Sequence, residues 1–139
     1  VLVGVAERRI VTREAEYEGE ALELCGKLGL RQAILPLERR GFERVLLLRN
    51  DPFAWQARVA LAALEHPRAV RWLLDELGAF TRERRSLAVA AAQRAGLRVA
   101  RPLLEAMRGD PARADPDAVE RALAALNEAQ ALAEDHDET

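Results

Sequence analysis

The chain has one cysteine, two histidines, three Phe, one Tyr and two Trp among 139 residues. A lone Cys25 excludes an intrachain disulfide and a cysteine-rich zinc site. His66 falls at a helix corner, and His136 stands in a charged tail beside Glu134, Asp135 and Asp137. His66 reads as a surface or capping residue, and the His136 group, which could hold a metal weakly, reads better as a solvated acidic end. Glu16, Glu20 and Glu23 share part of a helix face but lack a histidine partner, which reads as a solvated face. No Gly-rich phosphate loop is present. "GVAERR" lacks the required glycine spacing and the Lys and Ser/Thr that follow it. Nothing resembles a nucleophile elbow, and Cys25 sits in an apolar stripe, where a thiolate is disfavoured. No apolar run approaches the roughly 18–20 residues of a bilayer span. The opening "VLVGVAERRIV" is too short and interrupted for a secretory signal, so a soluble cytoplasmic protein is expected. Excess charge of one sign is missing too. The 21 basic and 23 acidic residues leave a net charge of −2, which disfavours a general phosphate-backbone binder while leaving room for a local basic patch.

Half of the residues are hydrophobic, and they are mostly Ala and Leu. These are strong helix formers, and β-branched residues are scarce, so an all-α fold is expected. Residues 1–12 read ambiguously as short strands, an extended arm or a first helix. A helix over 13–28 carries Tyr17, Ala21, Leu24, Cys25 and Leu28 as its apolar stripe, with Thr12 in the N-cap region. Gly29 breaks it. A second helix, with Leu30, Ala33, Ile34 and Leu37, ends near Gly41 and contains Pro36, which is expected to bend it. "FERVLLLR" reads as a further short helix to Asn50. Asn50 or Asp51 then caps a helix over 53–65, with Pro52 in its first turn. Its face is Ala57, Ala60, Leu61 and Leu64. Helices follow over 68–77 (Val70, Leu73, Leu74, Leu77), from Thr81 to 95 (Leu87, Ala88, Ala91, Ala95) and over 97–108 (Val99, Leu103, Leu104, Met107, with Pro102 inside). After a polar linker at 110–115, Asp115 caps a final helix over 116–134, which serves as an end cap through Val119, Ala122, Leu123, Leu126 and Ala129. A frayed tail, 135–139, completes a single domain of 1–139.

Two stretches echo one another: "LGLRQAILPLERRG" at 28–41 and "AGLRVARPLLEAMRG" at 95–109. Helices also pair as 13–28 with 30–40, 53–65 with 68–77, and 82–95 with 97–108. Each pair has an Ala-rich member, a corner at Gly29, Pro67 or Gly96, and a Leu-rich member. Such units stack on their neighbours, because none buries its apolar face alone. The fold expected is a short right-handed stack of antiparallel helical hairpins within 13–109, an alpha-alpha superhelix. A compact helical bundle is the alternative.

"DPFAWQARVALAALEHPRAVRWLLDELG" at 51–78 resembles a HEAT repeat. Asp51 and Pro52 match that family's opening, Arg58 and Val59 stand in reversed order, and Ala62, Ala63 and Leu64 close the first helix. Residues 83–110 resemble it again through Ala90, Ala91, Ala92, Pro102, Leu103 and Leu104. Residues 115–126 do so through Asp115, Pro116, Val119, Arg121, Ala122, Ala124 and Leu126. The departures are uneven spacing, a missing glycine at the second corner, and the first dozen residues.

The resemblance to HEAT-like alpha-solenoids implies that second helices line a concave surface. Arg31, Arg68, Arg71, Arg98 and Arg101 would then form a ladder for acidic side chains or phosphates. Trp72, between the apolar stripe and the polar face of its helix, joins them as a packing wedge or an exposed anchor. The expected function is a non-catalytic interaction or scaffold module, without cofactor or metal, whose partner is a protein. The alternative is nucleic-acid binding through the same arginines. Val1, Leu2, Val3, Val5, Ile10 and Val11 have no place in the repeat pattern and suit either a fold-back cap or self-association through an N-terminal arm.

Overall fold

The structure, a computed structural model, describes residues 2–7, 15–45 and 49–137. Among the described residues the regular elements are helices apart from one two-residue β-ladder. The chain divides into two compact units, Val1–Val70 and Arg71–Thr139. In the first unit the elements are α1 (Leu2–Ala6), α2 (Ala15–Lys27), a 3-10 turn at Arg31–Ala33, α3 (Ile34–Phe42), β1 (Arg44–Val45), β2 (Arg49–Asn50) and α4 (Ala54–Ala63). The boundary falls inside α5 (Pro67–Leu77). The second unit continues with α6 (Arg82–Ala95), a 3-10 turn at Arg98–Ala100, α7 (Arg101–Met107) and α8 (Pro116–Asp137).

The echoed sequence is a corner and the helix start that follows it. Gly29 and Gly96 take left-handed φ values of 66° and 62°. At each, the next residue's N–H reaches back five residues, Leu30 to the Cys25 carbonyl and Leu97 to that of Ala92. This is the Schellman ending, which satisfies carbonyls the helix leaves open. The missing glycine of the second corner is replaced by Glu65, at φ 62°, and His66 N–H bonds the Leu61 carbonyl in the same way. After both glycine corners comes a 3-10 turn whose last residue, Ala33 or Ala100, is buried. Only then does the α-helix begin. Pro36 and Pro102 therefore lie in first turns, where no N–H donor is needed, and neither interrupts a helix as expected from sequence.

The expected hairpin stack is corrected by the packing. In a HEAT-type solenoid each helix pairs with its sequence neighbour, and the pattern repeats along the chain. Here α4 is a hub for both α2 and α3, and α8 is a hub for both α6 and α7. The expected hairpin mates, α2 with α3 and α6 with α7, are not principal packing pairs. Each unit is a small helical bundle, so the HEAT-repeat, alpha-solenoid and alpha-alpha superhelix readings fall. The physical reason in the first unit is Gly26. A Cβ there would stand 2.6 Å from the Ala60 carbonyl oxygen and 2.8 Å from its Cα. The bare glycine lets α2 and α4 approach backbone to backbone, around Leu22, Cys25, Leu37, Ala57 and Leu61. The second core is built of Ala88, Ala91, Ala92, Leu104, Val119, Ala122 and Leu126.

Several local expectations also change. The described residues of "FERVLLLR" form no further helix. α3 ends at Phe42, Glu43 is extended, and an antiparallel ladder pairs Arg44 with Asn50 and Val45 with Arg49. The Arg40–Asp51 ion pair requires this reversal. A continuous helix would hold those two residues roughly 16 Å apart, whereas Nε and Oδ2 are 3.3 Å apart. Asp51 does not cap α4 directly either. Its carboxylate accepts from Phe53 N–H at 2.8 Å, and the helix starts at Ala54. Thr81 and Asp115 do accept at helix starts, from the N–H groups of Arg84 and Asp117. The stripe assigned to the α2 core is largely outward: Tyr17, Leu24 and Leu28 are exposed, and burial falls on Leu22, Cys25 and Gly26. Leu87, Val99 and Leu103 are likewise exposed. Thr12, Ile10 and Val11 lie outside the described residues; residues 2–6 are helical, with Val5 and Ala6 buried.

Candidate functional site

The first unit concentrates charge in two clusters. Arg40 is 3% exposed, and the Asp51 side chain is fully covered. Arg40 donates from Nε and one terminal nitrogen to the Asp51 carboxylate, from that nitrogen to Glu18 Oε1 at 2.7 Å, and from the other to the Val5 carbonyl. Its guanidinium also lies over the Phe53 ring, 5.6 Å from the centroid. The cluster ties α1, α2, α3 and the start of α4 together, which identifies it as scaffolding. In the second cluster the Phe42 ring carries the guanidiniums of Arg68, at 4.2 Å, and Arg58, at 5.0 Å. His66 Nδ1 accepts from Ala69 N–H at 3.4 Å, so Nε2 carries the proton and donates to Glu38 at 2.8 Å. His66 thus caps α5 and bridges to α3. No hydroxyl or thiol is hydrogen-bonded to it among the described residues. Cys25 is buried, and desolvation pushes its thiol pKa up, opposite to the shift a reactive thiolate needs. No group of three metal-ligating side chains occurs among the described residues.

The second unit carries an open groove of about 400 Å³. Leu74 and Leu77 of α5 form one wall, and Leu103, Ala106 and Met107 of α7 form the other. Its charged lining is Arg85 and Arg113, with no carboxylate. Arg85 is held rigidly, donating to the carbonyls of Ala79, Phe80, Ala112 and Arg113. These contacts stitch the start of α6 to the corner before it and to the 110–115 loop. Carbonyl oxygens satisfy its donors without cancelling its charge. Arg113 is exposed, and its guanidinium has no ion pair or hydrogen bond among the described residues. Beside the groove, Phe80 is 100% exposed. Val99 of the second 3-10 turn, with Leu103 and Ala106 of α7, extends the exposed apolar strip.

The residues singled out from sequence are divided between the units. Arg31 is exposed in the first 3-10 turn, and Arg68 is exposed on α5 against Phe42. Arg71 is exposed and stands one turn before Leu74 on α5; Trp72 is half-buried. Arg98 is exposed in the second 3-10 turn. Arg101 is engaged within the unit, donating to Glu105 at 3.3 Å and to Gln130 at 2.8 Å. Arg31 and Arg98 are thus on turns rather than helices. Phe80 and Arg113 were missed. The available signal was an aromatic between a helix stop, Gly78, and a helix cap, Thr81, where no stripe claims it.

Among the described residues no helix is long and apolar enough to cross a membrane. Neither a protein-family model, nor a characterised protein, nor a solved structure matches the chain, and the HEAT resemblance, already contradicted by the packing, has no support from relatives.

Proposed function

We propose that the chain is a non-catalytic protein-binding module whose second unit seats an acidic, amphipathic helix of a partner protein. The observation carrying this reading is the fully exposed Phe80 beside a groove with apolar walls and two arginines as its charged lining. Large exposed aromatics beside apolar grooves are where binding energy concentrates. Helix-in-groove docking uses apolar anchors at i, i+3 and i+4 with complementary charge at the rim. Arg113 meets a carboxylate of the partner, and Arg71 and Arg98 extend the positive rim. A protein is favoured over nucleic acid because Arg84, Arg101 and Arg108 already pair with Glu76, Glu105 and Glu120.

Fluorescence anisotropy tests this with a labelled helical peptide bearing Leu at i and i+4 and Glu on its flank. A Lys-flanked counterpart, DNA and RNA serve as comparisons at two salt concentrations. The acidic peptide is expected to bind, and Phe80→Ala and Arg113→Glu each to weaken it by roughly tenfold. Equal binding of both peptides defeats the reading. Tight, steeply salt-dependent binding of nucleic acid promotes the alternative.

A further inference from the structure

We propose that the outer face of α2 pairs antiparallel with the same face of a second copy of the chain. α2 has two apolar faces. Leu22, Cys25 and Gly26 are buried, with Gly26 against α4. The other face carries Tyr17, Ala21, Leu24 and Leu28, spaced by four, three and four residues, which is the pattern of a helix-pairing seam. Its three large members are 56%, 40% and 59% exposed. A groove of about 510 Å³ runs along it, lined also by Leu2 of α1.

Charge identifies the occupant. Glu20 and Lys27 flank the seam, both exposed and neither engaged by another described residue. In an antiparallel pair Tyr17 stacks on Leu28 of the second copy, and Ala21 on its Leu24. That register brings Glu20 opposite Lys27 twice, once on each side of the two-fold axis. A parallel pair leaves these charges unmatched, because the positions across the seam include Cys25, which faces the protomer's own core. Small Ala21 lets the helices come close at the centre, and Tyr17 of the second copy enters the groove beside Leu2. The face is short, so a weak dimer is expected, dissociating at roughly ten micromolar. This surface is in the first unit and does not depend on the groove beside Phe80.

Sedimentation velocity of the full chain from about 5 to 200 µM is the test, with circular dichroism as the folding control. The chain should shift from monomer to dimer, and Leu24→Glu should remain monomeric. Glu20→Lys and Lys27→Glu, both at exposed sites, should each weaken the dimer about threefold or more, and the double exchange should restore it. A monomer throughout the range overturns the proposal. So does a dimer that survives Leu24→Glu, or a double exchange no better than the single ones.

Discussion

Arg40 and Met107 stand at corresponding places in the two echoed stretches, three residues after the buried Leu37 and Leu104. Both are almost fully buried, at 3% and 4% exposure. In the first unit the position holds a charge with two carboxylates and a carbonyl around it. In the second it holds a thioether that forms part of a groove wall. The same local grammar of corner, 3-10 turn and helix start thus serves two interiors. One is closed by a polar network that fixes which elements meet. The other is closed by small apolar side chains, which leaves its arginines outside. A buried network specifies geometry because each donor must find its own acceptor, and in the first unit Asp51, its central acceptor, directly follows a β-ladder, where the second unit has none among the described residues.

The strongest break of this contrast is to write the second unit's residue into the first. Arg40→Met removes the buried guanidinium that donates to the covered Asp51 carboxylate, at a cost of about 3–5 kcal/mol. Chemical denaturation should show that loss, and Arg40→Met with Asp51→Asn should recover part of it. A loss below about 1 kcal/mol would mean the pair behaves as a surface ion pair and the contrast is empty.

Next in size is the helix crossing. Gly26→Ala improves helix propensity yet forces a methyl against the Ala60 backbone. Overpacking of this kind costs about 1–3 kcal/mol. An unchanged denaturation midpoint would refute the close approach. Cys25, one residue earlier, gives a readout without substitution. Its thiol should resist alkylation in the native protein and react on unfolding. Because burial raises its pKa, the unfolded chain releases the proton first as pH rises. The folded state is then favoured least on the alkaline side, above the ordinary thiol value, and this contribution is unaffected below it.

What the sequence revealed follows the same division. Helical content, the Gly29 and Gly96 corners, the Thr81 and Asp115 caps and the α8 face from Val119 to Leu126 are local properties, written in spacing and residue type. The hub packing is not local. Whether α2 turns Leu22 or Leu24 inward depends on Gly26 meeting Ala60, a contact between distant positions that periodicity cannot rank. Arg40 is the clearest case. Its place three residues after Leu37 put it in the buried phase of α3, but a lone arginine there reads as surface until Asp51 and Glu18 are placed around it. The candidate groove was legible only in parts. Leu74 and Met107 were expected in stripes, whereas Phe80 and Arg113 gain meaning from the fold that brings the α5–α6 corner to the 110–115 loop.

The smallest expected effect concerns the corner that broke the glycine pattern. Glu65 holds the left-handed conformation that Gly29 and Gly96 hold elsewhere. A Cβ in that region is strained, so Glu65→Gly removes a penalty while adding flexibility to the unfolded chain. The balance at a Schellman position favours glycine by about 0.5–1 kcal/mol. The reverse exchange, Gly96→Ala, should cost a similar amount, since nothing lies within 4 Å of a Cβ there and backbone strain alone is measured. Thermal melts of the two variants should therefore move in opposite directions. If both are destabilised, the Glu65 side chain contributes something at its corner beyond conformation, and the three corners are not equivalent. If the shifts are opposite and comparable, the corner is one reusable device, indifferent to whether the bundle it serves is closed by a charge network or by alanines.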